Sequence, residues 1–132
     1  MSNDAQRIRS LTKVAGVAFR AAQSDMAKLL RRGEDLRRNL TQLTDRKATF
    51  ARAQKRLDDP AIVAGADIRW HHWVDQRRAT INTELAQVLA QKENARAKLR
   101  KAFGRDQATN ALLRGISQKV QQDMRRRSDY ES

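Results

Sequence analysis

Apolar residues fall at every seventh position through the first half of the chain: Ile8, Ala15, Ala22, Leu29, Leu36, Leu43, Phe50 and Leu57. Four residues after most of these comes a second series, Thr12, Phe19, Met26, Gly33, Leu40, Lys47 and Gln54, apolar in its middle and weaker at both ends. With the first series as heptad position d and the second as a, they form a narrow seam of the width one helix presents to another. Such a helix needs a partner, and the second half supplies one. From about Ile68 the beat resumes as Val74, Ile81, Val88, Ala95, Ala102, Thr109 and Ile116, accompanied by Leu85, Lys92, Leu99, Asp106, Leu113 and Val120.

Between the two runs stands Asp58-Asp59-Pro60, which reads as a helix stop because proline disfavours helical geometry in the residue before it. Ser2, Asn3 and Asp4 can cap the first helix, and Asp67, after Gly65, can cap the second. The expected fold is all-α: a long antiparallel two-helix coiled-coil hairpin forming one domain over residues 1–132, with helices over about 4–57 and 68–126 and a turn over 58–67. That turn pairs positions whose numbers sum to about 128. Phe50 then lies near Val74 and Arg78, Leu43 near Leu85, Leu29 near Leu99, Ala22 near Asp106, Ile8 near Val120, and Gly33 against Ala95. Where Ala15 and Ala22 face Thr109, Asp106 and Leu113, packing should be poorer.

Composition agrees with a thin seam. Charged residues make up 33% of the chain and aromatics 5%, with one proline and five glycines, which leaves little for a wide core or a loop-rich fold. The formal charge of +13 draws the chain toward nucleic acid, anionic lipid or an acidic protein surface without choosing among them. Without cysteine it can form neither disulfides nor thiolate zinc sites, which suits a reducing compartment, and the cytoplasm is the expected location. The early stretch Leu11 to Ala22 is broken by Lys13 and Arg20, so no transmembrane span is expected. Arg7, Arg9, Lys13 and Arg20 superficially suggest a transit segment, but the heptad beat already runs through them, which reads as mature protein.

No active site is legible, and no cofactor or metal is expected. There is no glycine-rich phosphate loop. His71 and His72 point about 100° apart on a helix and have no third ligand at suitable spacing. The acids are scattered among bases, and a two-helix hairpin lacks the concave, dry pocket that separates the pKa values of catalytic carboxylates.

The cations are more informative. In the first helix Arg7, Lys13, Arg20, Lys28, Arg31, Arg38, Arg52, Lys55 and Arg56 occupy positions b, c and f, away from the seam. The second helix concentrates charge at Arg96, Lys98, Arg100, Lys101 and Arg105, and again at Arg125, Arg126 and Arg127. Solvated faces, phosphate binding and an acidic protein partner all compete for these residues, and the lack of aromatics among them weakens the nucleic-acid reading. Trp70 and Trp73 stand three apart directly after the turn. They either close it over Ile62, Val63 and Leu57 or anchor a partner.

At this point the chain resembles the FliJ family, the small stalk proteins of flagellar type III export and their injectisome counterparts. The local likeness is Arg69-Trp70-x-x-Trp73, similar to a family run R-W-x-x-Y, and Leu40-x-x-Leu43-x-x-Arg46-x-x-x-Phe50, similar to a run of two leucines and two tyrosines. Size, basicity, low cysteine content and the expected hairpin extend it over nearly the whole chain. The resemblance implies a protein that is not an enzyme, cytoplasmic and peripheral at the inner membrane through the export apparatus. It implies paired termini inserted into a hexameric export ATPase, a tip half engaging the export-gate membrane protein, and export chaperones as further partners. The residues agree with it at the open end, where Arg7, Arg9, Lys119, Arg125, Arg126 and Arg127 suit the acidic lumen of an ATPase ring. Carried onto this sequence, Asn39, Leu43, Arg46 and Phe50, with Gln76, Thr80, Thr83 and Gln87, face the gate, beside Trp70 and Trp73. The family tends to place apolar residues where this chain has Arg46, Gln76 and Thr80.

Two rival readings belong to other classes. A basic hairpin gripping phosphates requires binding that falls steeply with salt. A self-associating scaffold requires a second apolar face, for which the sequence offers scattered residues such as Leu30, Leu89 and Phe103.

Overall fold

In the computed structural model, which describes residues 2–54 and 59–131, the chain forms two α-helices packed against each other: α1, Ser2–Gln54, and α2, Pro60–Glu131. Among the described residues there is no strand. The expected turn over 58–67 is corrected. Asp59 is the N-cap of α2, its carboxylate accepting from the Ala61 N–H at 3.0 Å and its carbonyl from the Val63 N–H at 3.1 Å. Pro60 takes the first helical position, where its missing N–H costs nothing and its fixed φ suits the helix. The dipeptide that reads as a stop is therefore a start. Asp67, expected as the cap, lies inside α2 and meets His71 Nε2 at 3.0 Å. Lys55, Arg56, Leu57 and Asp58 lie outside the described residues.

The chain divides into two units. One comprises Ala27–Glu93 and contains the main apolar core, where Leu36, Leu43, Ile81 and Val88 are buried together and Leu40 and Leu85 pack against them. Val74 is also fully buried. Each such side chain contributes on the order of 1.5–3 kcal/mol by leaving water. On one flank the Arg32 guanidinium meets Glu84 at 2.8 Å, both at position g. On the other, Leu30 and Leu89, both at e, line a cavity of about 40 Å³ beside Gly33.

The second unit, Met1–Met26 with Asn94–Ser132, fills several of the same heptad positions with smaller or polar side chains, among them Ala15, Ala22, Thr12, Asp106 and Thr109. Ala15 is its one buried apolar residue among those described. Ala22, Thr12, Asp106 and Thr109 stand half-buried in its seam. The Thr12 hydroxyl donates to the Ile8 carbonyl at 2.7 Å and lies 3.4 Å from the Thr109 carbonyl. Phe19 and Phe103 meet at 5.5 Å between ring centres. The poorer packing expected around Ala15 and Ala22 is thus observed.

The seam is as the heptads require, but its register differs. Apart from Gln54 and Leu57, every a and d position named above is buried or half-buried except Val120, which is 51% exposed. Across both units the paired positions sum to 120–122, as in Phe50 with Trp70, Gly33 with Val88, and Phe19 with Phe103. The expected sum of 128 is one heptad too large, because α2 begins at Pro60 instead of near Ile68. Gly33 therefore faces Val88, not Ala95, and Ile8 comes level with Leu113, which leaves Val120 uncovered.

A Cβ at Gly33 would sit 3.6 Å from Val88 Cγ1, an ordinary contact. Gly33→Ala should therefore stabilise the chain by about 1 kcal/mol through helix propensity, read as a rise in urea midpoint. A lower midpoint would mean that the seam needs a glycine there. By hydrogen exchange, seam amides of the Ala15 unit should open about tenfold or more faster than those around Leu36 and Ile81. Equal protection would contradict the difference in core.

Candidate partner surfaces

Phe50, at d on α1, stacks on Trp70 with ring centres 4.7 Å apart and planes 25° from parallel. Trp70 stacks in turn on Trp73 at 5.3 Å and 26°. Heptad geometry sets this ladder: Phe50 lies in the seam, Trp70 at g flanks it, and Trp73 at c faces outward. Trp70 is half-buried and its indole Nε1 is buried without a hydrogen-bond partner among the described residues. Trp73 remains 44% exposed. The two alternatives for the tryptophans thus divide between them, Trp70 packing on Phe50 and Trp73 presenting a free face. Ile62, at 64% exposure, is not covered by either.

The other positions that the resemblance would turn toward an export gate fall into two groups within the same unit. Leu43 is buried in the core, Asn39 is half-buried, and Arg46 at g is exposed. Gln76, Thr80, Thr83 and Gln87 alternate between f and c and are exposed, on the outer face of α2 that Trp73 also occupies. The hydroxyls of Thr80 and Thr83 donate to their own helix, to the carbonyls of Gln76 and Ala79, each at 3.0 Å. A partner approaching this face meets Trp73, Gln76 and Gln87, with Leu43 accessible only if the helices part. The sequence alone could not separate these roles, because Leu43 and Phe50 occupy both the family motif and the seam.

The cations expected to suit an ATPase ring belong to the other unit. Arg7 and Arg9 near the start of α1, and Lys119, Arg125, Arg126 and Arg127 near the end of α2, are all exposed. Since Ser2 comes level with about residue 119, α2 continues beyond the first residues of α1, and residues 117–131 are exposed throughout. Val120, Met124 and Tyr130 accompany the arginines there at 51%, 66% and 93% exposure. Sequence reading missed this overhang because it followed from the register.

Among the described residues there is no cluster of three or more potential metal-ligating side chains, and no helix is long and apolar enough to cross a membrane. Fold and surface together define an antiparallel two-helix coiled coil, with the Phe50, Trp70 and Trp73 ladder in one unit and the cations near the chain ends in the other. The chain matches no protein-family model, no curated protein and no solved structure.

The ladder makes an ordered prediction. Phe50→Ala, which removes the ring bridging the helices, should cost about 2–3 kcal/mol, and Trp73→Ala under about 1 kcal/mol, in urea unfolding. If Trp73→Ala were the costlier, Trp73 would belong to the core.

Proposed function

We propose that this protein is a non-enzymatic stalk and adaptor of a type III export ATPase, flagellar or injectisome, cytoplasmic and held at the inner membrane through the export apparatus. The observation that carries the reading is the exposed set Arg7, Arg9, Lys119, Arg125, Arg126 and Arg127, gathered in the loosely packed unit at the chain ends of a two-helix scaffold. An acidic ring lumen complements such a set at short range in a confined space, where screening by salt is reduced. The Leu36 unit, with exposed Trp73, Gln76, Thr80, Thr83 and Gln87 and with Arg46 on α1, suits a second partner, the export gate. Export chaperones are further partners of the same reading.

The test is recovery of an export ATPase on the immobilised full chain at physiological salt, beside a duplex DNA mobility shift. Charge reversal of Arg125, Arg126 and Arg127 to Glu should reduce recovery by about tenfold or more, whereas Trp73→Ala should leave it intact and weaken capture of the gate protein. A DNA shift that weakens steeply with salt, with no ATPase recovered, would replace the stalk by a phosphate-gripping hairpin.

A further inference from the structure

In the Ala15 unit, Phe103 at e leans on Phe19 at a, and Gly16 at e lies against Asp106 at a. The e positions therefore take one flank of the helix pair and the g positions the other. On the g flank, with its c and f neighbours, apolar side chains stand in solvent. Leu11, Val14 and Val17 on α1 are 57%, 67% and 58% exposed, and Leu112 on α2 is 56% exposed. Leu11 and Leu112, both at g, come level in the observed register. Beside Leu112, Ala108 and Gly115 keep the surface of α2 low, and a Cβ at Gly115 would meet nothing within 4 Å. The result is a shallow apolar trough on α2, lined by Ala108, Leu112 and Gly115, beside a separate shallow depression on α1 lined by Leu11 and Val14, both outside the seam.

We infer that this trough docks an acidic amphipathic helix from another protein, with large apolar side chains at i, i+3 or i+4, and i+7 facing the trough and Asp or Glu on its edges. The charge around the trough selects that occupant. Exposed Arg7, Lys101, Arg105 and Lys119 border it, against Asp4 and Asp25. A second copy would bring two such basic borders together, each on a chain of formal charge +13. An acidic helix neutralises the border as its apolar face covers Leu11, Val14 and Leu112. The low floor at Ala108 and Gly115 lets its backbone approach α2 closely. This docking goes beyond the stalk reading and does not depend on it, since a single helix suffices.

The test uses the full chain and a fluorescent synthetic helix of about 20 residues, long enough to be helical, with Leu at the stated spacing and Glu on the flanks. Controls are the same composition scrambled and a version with Lys for Glu. Anisotropy should rise with the Glu helix alone. Gly115→Gln, which adds helix propensity while filling the trough, should weaken binding by about tenfold or more, as should Val14→Gln, with unchanged or raised thermal stability for the former. Arg31→Glu, an exposed position in the other unit, should leave affinity unchanged. Three results would overturn the inference: equal binding of the scrambled helix, equal affinity of the Gly115→Gln chain, or a dimer in sedimentation that Val14→Gln abolishes, which would make the occupant a second copy. The assay contains no ATPase, so failure of the stalk reading does not alter its outcome.

Discussion

Two of every seven residues hold this fold together. Every other position can be charged, as a third of the chain is, because a helix pair buries only its a and d side chains. Leu36, Leu43, Val74, Ile81 and Val88 supply the deep burial, and all of them lie in one unit. In the other, the same positions are filled by Ala15, Thr12, Thr109 and Asp106, which keep the geometry while contributing far less apolar area. The helices are continuous, but the driving force along them is not.

That unevenness separates two kinds of surface. Where the seam is apolar, exposed groups can be held firmly, and the Phe50, Trp70 and Trp73 ladder runs from the core outward so that the last indole is positioned by the first ring. Where the seam is polar, exposed groups sit on helices with little buried apolar area between them, and there the arginines near the end of α2 and the trough beside Leu112 are found. Ordering such a segment on a partner costs conformational entropy, which complementary charge and newly covered apolar area must offset.

The seam was legible in the sequence because burial of a helix pair is periodic and each residue reports its own position. The register was not, because heptad periodicity is unchanged by a shift of seven and every seam residue remains a seam residue in either alignment. What chose between the alignments was one local bond set, Asp59 capping a helix that starts at Pro60, and Asp-Pro reads equally well as the end of one helix or the beginning of the next. From that ambiguity came the misplaced partners of Gly33 and Ile8 and the unforeseen exposure of Val120. The trough escaped notice for a different reason. Leu11, Val14 and Val17 follow no heptad, and only once both helices are placed do they share a flank with Leu112.

The Asp59 cap therefore behaves as a pawl on a rack. Because the seam accepts any displacement of seven residues and rejects those between, the distance from Gln54 to Pro60 can change only in steps that the seam allows. Each permitted step moves the reach of α2 past α1 by about two helical turns and gives each seam residue a new partner while keeping it in the seam. Overhang length is thus a digital quantity in this architecture, set by a few residues at the reversal and not by anything at the end that it lengthens or shortens.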